Sequence, residues 1–230
     1  MPTNAPIKCV SDFNFRDNVD LQDLSRAWDA ALEAELLTLP NDTKVQSFLI
    51  AGVRLGLRHK KISARAVALL SGYSLSTFFR YFSNIEHATE QGFLLVNSLI
   101  IKIYQKCANE RELTLSEHVD LFLTLCVGAY AAYPTDMLQR MSDKYHGNIE
   151  KIHPHTFELA EAVVKCLQEQ TETSGLQIAT KELEGLLLML DGNLMQTALR
   201  HDGTLVSPHY FDFLYRILYG FFMLSCTNGL

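Results

Sequence analysis

The chain lacks any apolar run near the roughly 18 residues that a membrane-spanning helix needs, so no membrane partner is expected for its 230 residues. Met1 to Lys8 is followed by Asp-rich rather than apolar sequence, which excludes a secretory signal and points to the cytoplasm. Cysteines are few, odd in number and far apart (Cys9, Cys107, Cys126, Cys166 and Cys226), which excludes a disulfide framework and fits reduced thiols. No CxxC pair, GxGxxG, GxxxxGK[ST], GxSxG or HExxH occurs. Phosphate-cradling loops, a nucleophile elbow and a helical zinc pair are therefore missing, and the chain reads as a non-enzyme without cofactor or metal. His146, His153 and His155 surround Pro154 without ligand spacing and read as a polar loop and helix start. Basic residues are in deficit, with a net charge of −6.

Hydrophobic residues make up 48% of the chain, enough for a substantial core, and they recur at helical spacing. No strand pattern, repeat or low-complexity tract interrupts them, so the expected fold is all-α. Charge is spread unevenly. Residues 41–97 carry seven basic against three acidic side chains, net +4, against −10 for everything else. An acidic protein with one basic face can still bind phosphates, because neutralisation is local. Residues 1–40 are acidic at −4. Within them 1–11 read as irregular, and DLQDLSRAWDAALEAELL reads as a helix with Leu21, Leu24, Trp28, Ala31, Leu32 and Leu36 along one face. That stripe needs a cover, either the protein's own body or, as an arm, a partner subunit or the basic surface of 41–97.

Residues 62–86, ISARAVALLSGYSLSTFFRYFSNIE, are the most informative stretch. Ser63 can cap a short helix burying Ala64, Val67, Ala68 and Leu70; Gly72 can end it in the left-handed region; Ser74 can cap a second helix with Phe78, Tyr81 and Phe82 on one face. Ser83 and Glu86 have capping-box spacing ahead of a long helix from Ile85 to about Ala108. Two short helices around a glycine turn is the layout of a helix-turn-helix. In register, Ser63, Val67-Ala68, Ser71-Gly72-Tyr73-Ser74, Thr77, Phe79, Tyr81-Phe82 and Glu86 resemble the pattern T-x-x-x-I-A-x-x-A-G-V-S-x-x-T-x-Y-x-Y-F-x-x-K-E of tetracycline-repressor (TetR) type regulators. The resemblance implies a three-helix DNA-binding domain over 41–88, behind an N-terminal extension at 1–40, followed by a ligand-binding and dimerisation domain over 89–230. Phe79 and Ile85 depart from it, standing where the family has a phosphate-contacting tyrosine and lysine.

By that reading Leu75, Ser76 and Thr77 face base edges of double-stranded DNA, Leu75 reading a thymine methyl or shape and the two hydroxyls reading permissively. Ser63 and Ser74 lie at helix starts; Ser63, Arg65, Lys60, Lys61, Phe79, Arg80 and Tyr81 complete the expected DNA-binding set, largely on phosphates. Beyond Ile85 further helices are expected: a box at Thr114 and Glu117 before the apolar run Val119–Ala132, then Asp136–Tyr145 after Pro134, Asn148–Gln170, Thr180–His201 and Ser207–Cys226 with Pro208 at its first position. The family holds an inducer among its middle helices, which implies an unidentified small-molecule ligand here. Tyr104, Phe122, Cys126, Tyr130, Met137, Met141 and Met189 are candidates to line its pocket. The last two helices are apolar nearly all round, and the resemblance makes them a homodimer interface. The expected function is a ligand-responsive transcriptional regulator, in the first instance a repressor; the alternative is a helical dimer that binds a protein partner instead of DNA.

Overall fold

Asp20 starts the first helix. Its Oδ1 accepts the N–H groups of Gln22 and Asp23 at 2.8 and 3.0 Å, which satisfies donors a helix start leaves unpaired. The computed structural model describes residues 12–13, 16, 19–41, 43–57, 61–133, 135–145, 153–170, 178–200 and 203–227. Among them are ten α-helices and no strand; the chain is all-α. The irregular segment read for 1–11, together with Lys60 and the histidine at 146, lies outside the described residues, as do the side chains of Met141, His153 and His155. The chain divides into two compact units, one of Asp29–Lys102 and one of Met1–Trp28 with Ile103–Leu230, within their described residues.

The smaller unit holds α2 (Lys44–Leu57), α3 (Ala64–Ser71), α4 (Leu75–Tyr81), the second half of α1 (Leu21–Thr38) and the first part of α5 (Ile85–Glu110). Thr43 caps α2, accepting the Gln46 N–H at 3.2 Å. Phe48, Ala51, Leu55, Val67, Ala68, Phe78, Phe82 and Ala88 form one core cluster. Phe48 is at its centre, with its ring 5.5 Å from Phe78 and 6.1 Å from Phe82, both edge-on. Each such ring contributes about 1.5–3 kcal/mol on burial. Ile85 packs half-buried against this cluster, so an apolar residue suits that position. Arg54 pairs with Glu33 of α1 at 2.8 Å, which commits that cation inside the unit.

The larger unit holds α6 (Leu115–Ala132), α7 (Thr135–Tyr145), α8 (His153–Glu169), α9 (Thr180–Arg200), a turn of 3-10 helix at Thr204–Val206, and α10 (Pro208–Thr227). α6 is buried almost all round and packs on α9 and α10, while α9 also packs on α7 and α8. Leu24 and Trp28 of α1 are fully buried. A Cβ added at Gly128 of α6 would already touch both, at 3.5 and 3.9 Å. This part of the α1 stripe is therefore covered by the protein's own body. Thr114 and Glu117 make the capping box in full, and the Thr114 N–H and hydroxyl hold the Glu117 carboxyl below its ordinary pKa. Ser207 accepts the Tyr210 N–H at 3.2 Å ahead of Pro208.

One cap differs from its expectation. The long helix does begin at Ile85, but Asn84, not Ser83, caps it: the Asn84 side-chain oxygen accepts the His87 N–H at 2.7 Å. The Ncap oxygen must reach the third helical N–H, and with Ile85 as the first helical residue that register belongs to Asn84. The 3-10 turn after Gly203 (φ +79°) was not expected from sequence. Among the described residues no helix is long and apolar enough to cross a membrane.

Candidate functional site

The α3–α4 pair is set by three local devices. Ser63 is extended (φ −142°, ψ 152°), and its side chain accepts the Ala66 N–H at 3.2 Å, starting α3. Gly72 then takes φ +78°, ψ 14°, and the Tyr73 N–H returns to the Ala68 carbonyl at 3.0 Å. That left-handed residue and returning bond end α3 sharply, and a Cβ would strain the turn. Ser74 starts α4 two residues later by accepting the Thr77 N–H at 3.1 Å. Its Oγ also lies 2.8 Å from both Ser76 Oγ and Thr77 Oγ1.

The helix faces separate cleanly. Phe78 and Phe82 enter the core, while Leu75, Ser76, Phe79, Arg80 and Tyr81 are exposed and Thr77 is half-buried. Lys61 and Arg65 are exposed near the start of α3, where Ser63 is half-buried. All the described residues of the expected DNA-binding set thus have some solvent exposure, and they come from one stretch of the smaller unit; Lys60 is outside the described residues. Lys44 was not singled out by sequence. Its Nζ sits 5.7 Å from the centre of the Tyr73 ring, a contact with no local signature. No family model matches this chain, and neither does any curated protein or solved structure.

Among the described residues, the expected ligand-pocket candidates do not gather in one place. Tyr104 and Phe122 line a crevice with His118, Leu167 and Phe222 that is too tight for a water molecule. Cys126 and Tyr130 belong to a second group around Asp191 of α9, where the Tyr130 hydroxyl donates to Asp191 Oδ1. Burial pushes the Asp191 carboxyl and the Cys126 thiol up, favouring the neutral form of each. Met137 is buried on α7, and Met141 has no described side chain. Met189 is 73% exposed. Its helix turns it away from the core.

Sequence reading missed the polar group beneath the first crevice. His118 is buried, with Nδ1 3.0 Å from the Tyr104 hydroxyl and Nε2 3.0 Å from Gln170 Oε1. Gln170 Oε1 also accepts the Leu113 N–H at 2.7 Å, and its Nε2 donates to the Ala108 carbonyl at 2.5 Å. Because Oε1 carries no hydrogen, His118 must donate from Nε2, and Nδ1 then accepts from Tyr104. Burial lowers the His118 pKa, which agrees with this neutral form. A helical position and a polar side chain do not announce a partner 52 residues away; no sequence signal would have found it.

Proposed function

We propose that the chain is a homodimeric, ligand-responsive DNA-binding regulator of the tetracycline-repressor type, with α3–Gly72–α4 as its helix-turn-helix. One observation carries the reading: the two capped helices and their left-handed glycine turn present Lys61, Arg65, Ser76 and Arg80 to solvent while burying Val67, Ala68, Phe78 and Phe82. A short helix docked on a core with hydroxyl and basic groups outward suits major-groove reading flanked by phosphate contacts. Ser74 Oγ lies 2.8 Å from both Ser76 Oγ and Thr77 Oγ1, but Ser76 and Leu75 are exposed where Thr77 is half-buried, so those two are the more accessible readers.

Ser76→Ala should weaken binding to a preferred duplex selectively, by about 1 kcal/mol, the low end for a lost base contact. Arg65→Ala should weaken all duplexes about equally and reduce the salt slope by about one unit. Fluorescence-anisotropy titrations of both variants over a salt range, on duplexes selected from a random pool and on the unselected pool, test this. A parent protein that binds no duplex at low salt would sink the reading. A specific observation favours the second one in that event: Leu69 is 82% exposed and Phe79 51% exposed on the same helix pair, an apolar surface that suits a protein partner.

The dimer part of the proposal rests on the outer faces of α9 and α10. Gly185, Met189, Gly192 and Gln196 repeat at helical spacing on α9, as do Phe213, Ile217, Gly220 and Leu224 on α10. A Cβ at any of the three glycines would meet nothing within 4 Å, and Phe213 and Leu224 are 53% and 68% exposed. Small residues among large apolar ones let a second copy approach closely. Sedimentation of Leu224→Glu should give a monomer where the parent chain gives a dimer; a parent chain that sediments as a monomer at micromolar concentration refutes the interface. In the proposed mechanism a ligand biases the orientation of α5 and so the separation of two recognition helices, which must match half-sites about 34–36 Å apart.

A further inference from the structure

Within the larger unit, Arg16 occupies a seat made for a planar cation. Its Nη1 and Nη2 lie 2.9 and 2.8 Å from the two carboxylate oxygens of Asp120, and its Nε lies 3.5 Å from Asp212. Its guanidinium carbon sits 4.6 Å from the centre of the Tyr215 ring and 5.7 Å from that of Phe211. The Tyr215 ring is itself positioned, by a 2.9 Å bond between its hydroxyl and Ser116 and by stacking on Tyr219. A forked carboxylate with aromatic faces alongside is the geometry that distinguishes a guanidinium from an ammonium.

The seat opens onto a cavity of about 560 Å³, within the range of small-molecule sites. Among the described residues, Asp12, Glu110, Glu117 and Asp120 line it together with the guanidinium groups of Arg16 and Arg111. Arg16, Asp120 and Asp212 are 39%, 31% and 45% exposed at their side chains. A partly exposed ion pair holds its partner weakly, so a ligand arriving from solvent can exchange with Arg16.

We propose that this cavity and seat bind a small guanidinium compound, and that Arg16 is its built-in competitor, occupying the site in the unliganded chain. The apparent affinity of such a site is reduced by the fraction of time the competitor holds it, so removing the competitor strengthens binding. The site is separate from the crevice at Tyr104 and Phe122, and the proposal stands whether or not the protein binds DNA.

Calorimetric titration of the full chain with agmatine tests it. Arg16→Ala should bind agmatine about two- to sixfold more tightly than the parent chain, and adding Asp120→Asn should abolish that binding. Putrescine, which replaces the guanidinium with an ammonium, should bind Arg16→Ala at least about tenfold more weakly than agmatine does. Should Arg16→Ala not fold by circular dichroism, Arg16→Lys, which keeps the charge but loses the fork, should still bind agmatine more tightly than the parent chain. Agmatine affinity unchanged in whichever variant folds, or putrescine binding as well as agmatine, would overturn the proposal and leave Arg16 as an anchor of the N-terminal segment.

Discussion

Phe78→Ala should destabilise the smaller unit by about 3–5 kcal/mol, the range for removing a buried phenyl ring from a packed core. Phe78 is fully buried, and its ring lies 5.5 Å from Phe48, 5.2 Å from Phe82 and 5.3 Å from Phe79. Its helix has only seven residues, too short to persist without that packing. Three aromatic neighbours lose a partner together, and the rigid caps at Ser63 and Ser74 limit how far α3 and α4 can collapse into the space. The measurement is hydrogen exchange followed by mass spectrometry, because the single tryptophan, Trp28, falls in the other unit. Amides of α2, α3 and α4 should lose protection together in the variant. Protection equal to that of the parent chain across α4 would mean that the aromatic cluster does not hold this helix.

Gln170→Leu should cost about 3 kcal/mol or more in the larger unit. The substitution keeps the approximate volume but strands the Leu113 N–H, the His118 Nε2–H and the Ala108 carbonyl, all of which Gln170 satisfies. Each buried group left without a partner costs about 1–3 kcal/mol. Urea unfolding followed by Trp28 fluorescence should show the lower midpoint. The pH dependence gives a second reading of the same cluster. Burial depresses the His118 pKa in the folded chain, so below the ordinary histidine value of about 6.5 the unfolded chain binds the proton more readily. Stability of the parent chain should therefore fall as the pH drops from about 6.5 towards the depressed folded value. His118→Gln should flatten that part of the profile; an unchanged profile would mean that His118 titrates normally.

Much of the fold was legible because its signals are local. Ser63, Gly72, Ser74, Thr114 with Glu117, and Ser207 with Pro208 act on backbone groups within a few residues of themselves, and each does so in the structure. Even the misplaced cap at Ser83 erred by one residue, since adjacent Ser and Asn are both good Ncap residues and only the register of the first turn separates them. The buried stripe of α1 and the burial of Phe78 and Phe82 followed from helical periodicity. Leu70, expected on the buried face of α3, and Tyr81, expected beside Phe78 and Phe82, are instead 44% and 45% exposed, because short helices at the unit's edge are covered on one narrow side only. The pocket residues were harder. Periodicity identifies apolar positions that face inward, but it says nothing of which inward positions face one another. Met189 shows a further limit: an apolar residue in an apolar helix looks like core whether it faces the unit's interior or solvent.

By itself, then, the sequence determined an all-α chain, most of its helix boundaries, and the capped helix–glycine–helix at 63–82, because those depend on interactions spanning five residues or fewer. Only the tertiary structure decided that Gln170 joins His118 across 52 positions, that Asp120 receives Arg16 across 104, and that Asp191 receives Tyr130 across 61. Such pairs form when packing brings distant segments together and sets their polar groups within reach of one another, a condition set by the whole fold and not by any local stretch of residues.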